Sequence, residues 1–202
     1  MIVHPIGMMR ANAASGLNFV DDFTSYTLGQ TVYAQTPYSS PEGFGYCYVR
    51  DNGGTIVARQ EGTPSSHTYI AQTVADNREV YAVLNSSNAT AGNVLRVTLY
   101  HISNSDNCYC AMDSAGWVQF RQFVGGVNQA NVGDHNSGAA PVSGDKLTIS
   151  RSGSTVTVKK NETTVFTKTL VGSPTGGEPA FYMHPGTFPP YREIHEFGVK
   201  EL

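Results

Sequence analysis

The chain has 202 residues, with 13 Lys plus Arg against 16 Asp plus Glu, and only 14 % of its residues are charged. A charge so sparse and evenly mixed excludes a phosphate-tracking surface, which needs clustered Lys and Arg. No run approaches the roughly 20 apolar residues of a membrane-spanning helix. With 11 Tyr and 9 Phe, the chain is too aromatic for intrinsic disorder, and its length suits a single packed domain.

The first segment, Met1 to Gly16, mixes Ile2, Val3, Ile6, Met8 and Met9 with Pro5 and Gly7. It is too short and broken to form a core, and is expected to dock as an arm on a neighbouring subunit or to fold back over the domain. No uninterrupted apolar run precedes Arg10, so a secretory signal is not expected. From Leu17 onward, short segments of β-branched and aromatic residues alternate with Gly, Asn, Asp, Ser and Pro. Strands are predicted at Leu17 to Phe23, Gly45 to Arg50, Thr55 to Gln60, Thr68 to Thr73 and Glu79 to Leu84. Others follow at Val94 to Ile102, Asn107 to Met112, Trp117 to Val124, Lys146 to Ser150, Thr155 to Lys160, Thr163 to Leu170, Ala180 to Met183 and Ile194 to Leu202.

Alternation is clearest where Leu95, Val97 and Leu99 oppose Arg96, Thr98 and Tyr100, which sets Tyr100 on the polar side. Leu147 and Ile149 continue as Val156 and Val158 across the tight turn at Ser152 and Gly153, which makes a hairpin. No helical periodicity exceeds two turns and no internal repeat occurs. Turn signals every 8 to 12 residues or so are those of an antiparallel sandwich or barrel. Cys108 and Cys110 lie on one strand face, a poor geometry for a disulfide, so they and Cys47 are expected to be free thiols, as in a reducing cytoplasm.

Four stretches carry a family likeness: FVDDFTSYTLGQ from Phe19, RVTLYHISNSDNCYCAMD from Arg96, LTISRSGSTVTVKKNETTVFTKT from Leu147 and EIHEFGVKEL from Glu193. Their order resembles the concanavalin A-like jelly roll of lectins, glucanases and laminin G-like modules, in the form found in tailed-bacteriophage structural proteins. The resemblance implies an all-β antiparallel sandwich over residues 17–202 preceded by the arm at 1–16. It further implies a non-enzymatic virion subunit, such as a capsid decoration or tail-surface protein, made in the host cytoplasm. Partners would then be other virion proteins, further copies of the chain and a cell-surface glycan, with neither nucleic acid nor membrane. Glycan-binding in host adsorption is the alternative reading, and glycoside hydrolysis a third.

Glycosidases of this fold carry two carboxylates at alternating positions of one strand, because retention needs carboxyls about 5 Å apart. Here Glu193 and Glu196 are separated by Ile194 and His195, an odd spacing expected to send them to opposite faces, and Asp21 and Asp22 are adjacent. No Gly-x-Ser-x-Gly elbow occurs, and the six His are scattered singly. No catalytic residue, metal ligand or cofactor is therefore expected, although the oxygen-rich segments Asp51 to Gly54 and Gly133 to Asn136 admit calcium. For glycan stacking the candidates are Trp117, Tyr100, Tyr109 and Tyr182, although for Trp117 filling the core or a subunit interface is the favoured role.

Overall fold

The computed structural model describes residues 17–34, 38–39, 47–61, 67–70, 74–86, 93–129, 133–136, 139–172, 174–183 and 192–202. The arm residues Ile2, Val3, Ile6, Met8 and Met9 lie outside them. Among the described residues, sixteen strands and one short 3-10 turn at Val32–Ala34 make up the regular structure, in keeping with the β-branched and aromatic composition. They are β1 (Asn18–Asp21), β2 (Tyr38–Ser39), β3 (Cys47–Asn52), β4 (Thr55–Gln60), β5 (His67–Ile70), β6 (Arg78–Ser86), β7 (Asn93–Ser103) and β8 (Asp106–Asp113). The second half supplies β9 (Trp117–Val124), β10 (Val127–Asn128), β11 (Gly133–Asn136), β12 (Lys146–Ser152), β13 (Thr155–Lys160), β14 (Thr163–Thr169), β15 (Glu178–Met183) and β16 (Arg192–Glu201).

The strands form two antiparallel eight-stranded sheets. In the first, the order is β14-β13-β12-β6-β16-β4-β3, and β1 pairs with the far half of β16. In the second it is β10-β9-β8-β7-β15-β5-β2, with β11 also on β9. Chain neighbours β6 and β7, and again β15 and β16, lie in opposite sheets, so the chain crosses between layers repeatedly. This is the antiparallel β-sandwich expected from the sequence.

Between the layers, the inward residues of both sheets form one apolar core that includes Val80, Leu84, Ile149, Val158, Ile194 and Phe197 from the first sheet. Leu95, Val97, Cys108, Cys110, Met112, Phe120 and Phe181 face them from the second. Cys47, Cys108 and Cys110 are free, buried thiols, and burial pushes all three above the ordinary thiol range.

Among the register shifts of the two sheets, one on β7 and one on β16 correct the sequence reading. On β7 the register with β8 slips between Thr98 and Tyr100, so Leu99 and Tyr100 both enter the core. Tyr100 is 1 % exposed and offers no ring to a ligand at the surface, contrary to its place among the stacking candidates. Instead Gln122, also buried, donates its Nε2 to the Tyr100 hydroxyl at 3.0 Å and to the Val171 carbonyl, and accepts the Val171 N–H. That exchange satisfies a polar group which would otherwise cost about 1–3 kcal/mol to bury. On β16 the slip falls at His195, and Ile194 and Phe197 both face the core. Glu193 and Glu196 therefore project to the same outer face rather than to opposite ones, because a bulge inserts one extra residue between them.

Candidate functional site

The outer face of the second sheet is where the sequence and the register gather unusual side chains. The pairings of β15, β7, β8 and β9 set them in three rows across the sheet. One row holds Tyr182, Arg96, Ala111 and Gln119; the next holds Ala180, Thr98, Tyr109 and Arg121; the third holds Glu178, His101, Asn107 and Phe123. Strand positions ordinarily take β-branched and aromatic residues. Here, beside Thr98, Ala111 and Ala180, they include two guanidinium groups, an imidazole and two amides as well as rings.

Arg96 is the centre of this arrangement. Its guanidinium carbon lies 3.9 Å from the centre of the Tyr109 ring and 4.7 Å from that of Tyr182, so two tyrosines from the strands on either side of β7 embrace one cation. Each such contact is worth about 0.5–1 kcal/mol where water still reaches it. The Tyr109 ring also lies nearly parallel to that of Phe123, with centres 6.4 Å apart and 17° between planes. His101, turned outward by the slip at Leu99, packs on Tyr69 with ring centres 4.7 Å apart and sets its Nε2 3.3 Å from the Asn104 Oδ1. Between these groups lies a cavity of about 270 Å³, lined by Arg96, Thr98, His101, Asn104, Asn107, Tyr109 and Phe123.

Of the four stacking candidates, Tyr109 and Tyr182 meet at this site, joined through Arg96. Trp117, 40 % exposed at the start of β9, is on the same face but four residues before Arg121. That places it about 13 Å along the strand from the row that holds Tyr109. Tyr100 is in the core. The sequence reading missed Arg96, His101, Asn107 and Phe123, since a lone Arg or His on an alternating strand carries no signal until the strand pairing is known.

The carboxylate pair lies elsewhere. Glu193 and Glu196 stand on the outer face of the first sheet. Glu193 is buried and takes the Arg59 Nε, the Asn52 Nδ2 at 2.8 Å and the Asn85 Nδ2 at 2.9 Å, so both its oxygens are occupied. Glu196 accepts from the Tyr81 hydroxyl, whose pKa is raised first by burial and then by this hydrogen bond. Asp21 and Asp22 serve turns: Asp21 accepts the Phe23 N–H and the Tyr26 and Tyr38 hydroxyls, and Asp22 accepts the Thr24 N–H and hydroxyl.

In the two segments considered for calcium, the described carboxylates are hydrogen-bonded within the chain. Asp51 caps its own turn by accepting the Gly54 N–H at 2.7 Å. The other segment, Gly133–Asn136, is strand β11 rather than a turn, and Asp134 takes the Arg121 Nη2 at 2.7 Å. Among the described residues no group of three His, Cys, Asp or Glu side chains is placed to hold a metal.

No protein-family model matches the chain, and no curated protein sequence matches it. Solved structures do. The β-glucanase of Bacillus licheniformis superposes with a TM-score of 0.61 at 13 % identity, covering 92 % of this chain and 98 % of the glucanase. The exoplasmic/lumenal domain of VIP36, in its Ca2+/Man3GlcNAc-bound form, gives 0.62 at 11 %, over 85 % of this chain and 86 % of that one. Carbohydrate-binding module CBM66 of Bacillus subtilis gives 0.56 at 10 %, over 82 % and 93 %. Such likeness, spanning most of both chains, defines the fold as the concanavalin A-like jelly roll.

Proposed function

We propose that the protein is a carbohydrate-binding jelly-roll module whose ligand lies on the outer face of the second sheet. The observation that carries this reading is the cluster of Tyr109, Phe123 and Tyr182 around Arg96, beside a cavity rich in amide and hydroxyl groups. Sugar rings present apolar C–H faces and a rim of hydroxyls, which ask for aromatic planes next to fixed donors and acceptors. Neighbours that bear the names of a carbohydrate-binding module and of a Man3GlcNAc-bound exoplasmic/lumenal domain support it.

The module acts by binding, without cleavage. On β8 and β9 the outward positions are Asn107, Tyr109 and Ala111, then Gln119, Arg121 and Phe123, none of which supplies the carboxylate pair that retaining hydrolysis needs about 5 Å apart. The pair on the first sheet is bound up in its own hydrogen bonds. Adsorption to a host glycan is the use a virion would make of such a face; attachment to a particle is a separate expectation, carried by the family resemblance and by the arm at 1–16.

A glycan array followed by isothermal titration tests the proposal. Tyr109→Ala and Tyr182→Ala should each weaken the best-bound glycan by about five- to tenfold, in line with the loss of about 1–1.5 kcal/mol for a stacking ring. Glu193→Gln combined with Glu196→Gln should leave affinity unchanged. Release of reducing ends that disappears in the Glu193/Glu196 double variant would establish a hydrolase instead.

A further inference from the structure

Resting on that reading of the face as a glycan site, we infer that the ligand is an internal stretch of a linear polysaccharide, laid along β9 from the wall of Tyr109 and Phe123 to Trp117. Side chains alternate between the faces of a strand, and β9 keeps an unbroken register with β8 and β11, so Trp117, Gln119, Arg121 and Phe123 share the outer face. Six residues along the strand separate Trp117 from Phe123, which sets the two about 20 Å apart. One sugar ring covers a fraction of that length, and a chain of several rings covers all of it.

Trp117 is the residue that calls for the longer ligand. Among the described residues it is the one exposed side chain of Phe, Tyr or Trp type, at 40 %. Ring area left in water at a fixed position is what the apolar face of a sugar can bury. The position is fixed because Asp113 Oδ1 accepts the N–H of Ala115 at 2.9 Å and that of Trp117 at 2.8 Å, which ties the turn before β9 to the first residue of the strand. The cavity at the other end, lined by Tyr109 and Phe123, does not reach Trp117. A sugar held in that cavity alone would leave the indole idle. Between the two ends lies Gln119, half-buried, whose amide makes no hydrogen bond among the described residues and so keeps a donor and an acceptor for sugar hydroxyls. Arg121 is spent differently: it donates to the Phe120 and Gly133 carbonyls and to Asp134, which fastens β11 to β9 beside the track. Rings at both ends with polar groups between them match a polymer that repeats an apolar face and a rim of hydroxyls.

The test is calorimetric titration of the intact chain with β-linked gluco-, xylo- and manno-oligosaccharides, each from disaccharide to hexasaccharide. In a series that binds, affinity should climb with length, the hexasaccharide at least about tenfold tighter than the disaccharide, and Trp117→Ala should weaken the hexasaccharide about five- to tenfold. Because the length series uses the unaltered protein, it stands even if the variant folds poorly. Equal affinity at every length would overturn the extended-chain assignment and leave the glycan site standing. So would a folded Trp117→Ala variant that binds the hexasaccharide as wild type does; a changed oligomeric state of that variant in light scattering would then place the indole in a subunit contact. Array binding confined to branched or terminal sugars, with every linear series blank, would also overturn this assignment alone. Binding of none of these sugars, together with a blank glycan array, would overturn both.

Discussion

At the scale of single residues, Asp21 shows how a buried carboxylate is used for shape. It accepts the Phe23 N–H at 2.7 Å and the hydroxyls of Tyr26 and Tyr38 at 2.6 and 2.8 Å. These bonds hold Phe23 in the left-handed region, at φ 61°, so that its ring enters a cluster with Tyr38 and Phe181. A non-glycine residue there needs such local compensation. Burial raises the Asp21 pKa above its ordinary value of 3.8, and the three hydrogen bonds only partly oppose it. A group whose folded-state pKa is raised binds its proton more tightly when folded. Its contribution to stability is then full below about pH 4 and is lost as pH rises through the raised value. In urea unfolding, the stability of wild type relative to Asp21→Asn should therefore be greatest near pH 4 and decline toward neutrality. A wild-type advantage that grows with pH would mean that the ionised form is the one the fold prefers.

Strands show where the sequence was legible and where it was not. Thr55–Gln60, Trp117–Val124 and Thr155–Lys160 have the predicted bounds, because alternation and flanking turn residues both mark them. Strands β2, β10 and β11 escaped notice; β2 and β10 have two residues each, and Gly133–Asn136 consists of residues that favour turns. The costlier errors came from bulges. One extra residue at Leu99 turned Tyr100 inward and His101 outward, and another at His195 placed Glu193 and Glu196 on a common face. Period-two reading has no means of seeing a bulge, since it assumes an unbroken ladder. Of the site, the aromatic members Tyr109 and Tyr182 could be read as candidates, whereas Arg96 acquires meaning only from strands that are distant in sequence.

The ladder itself makes a prediction at this scale. Gly198 of β16 sits opposite Tyr81 of β6, whose ring covers it so closely that an added Cβ would overlap the ring atoms. Gly198→Ala should cost about 1–3 kcal/mol in chemical denaturation, the range for overpacking. Combined with Tyr81→Ala, most of that cost should vanish, because the two positions share one contact. An additive double variant would place the strain elsewhere.

Across the whole molecule, the two sheets divide the labour. The first carries fixed polar arrangements: Arg50 donates to both Glu61 oxygens at 2.7 Å, which lowers the Glu61 pKa, and Arg59 joins Glu61 to Glu193. Arg78, buried in β6, fastens the loop before β15 by donating to the Gly176 and Gly177 carbonyls at 3.0 and 2.9 Å. The second sheet shares the same core but turns the aromatic rings, the amides and the clamped Arg96 outward. That asymmetry suits a rigid module with one recognition face, in which the core fixes the spacing of rings that a flexible loop could not hold.

Amide chemical-shift mapping on isotope-labelled protein, titrated with the tightest glycan from the array, tests this most directly. The account predicts that the largest shifts fall on the second sheet, in β7, β8, β9 and β15, around Arg96, Thr98, His101, Tyr109, Phe123 and Tyr182. Small changes are expected on the first sheet around Glu193 and Glu196. Shifts concentrated instead at Glu193, Glu196, Arg59 and Tyr81, with the Arg96 face silent, would contradict it.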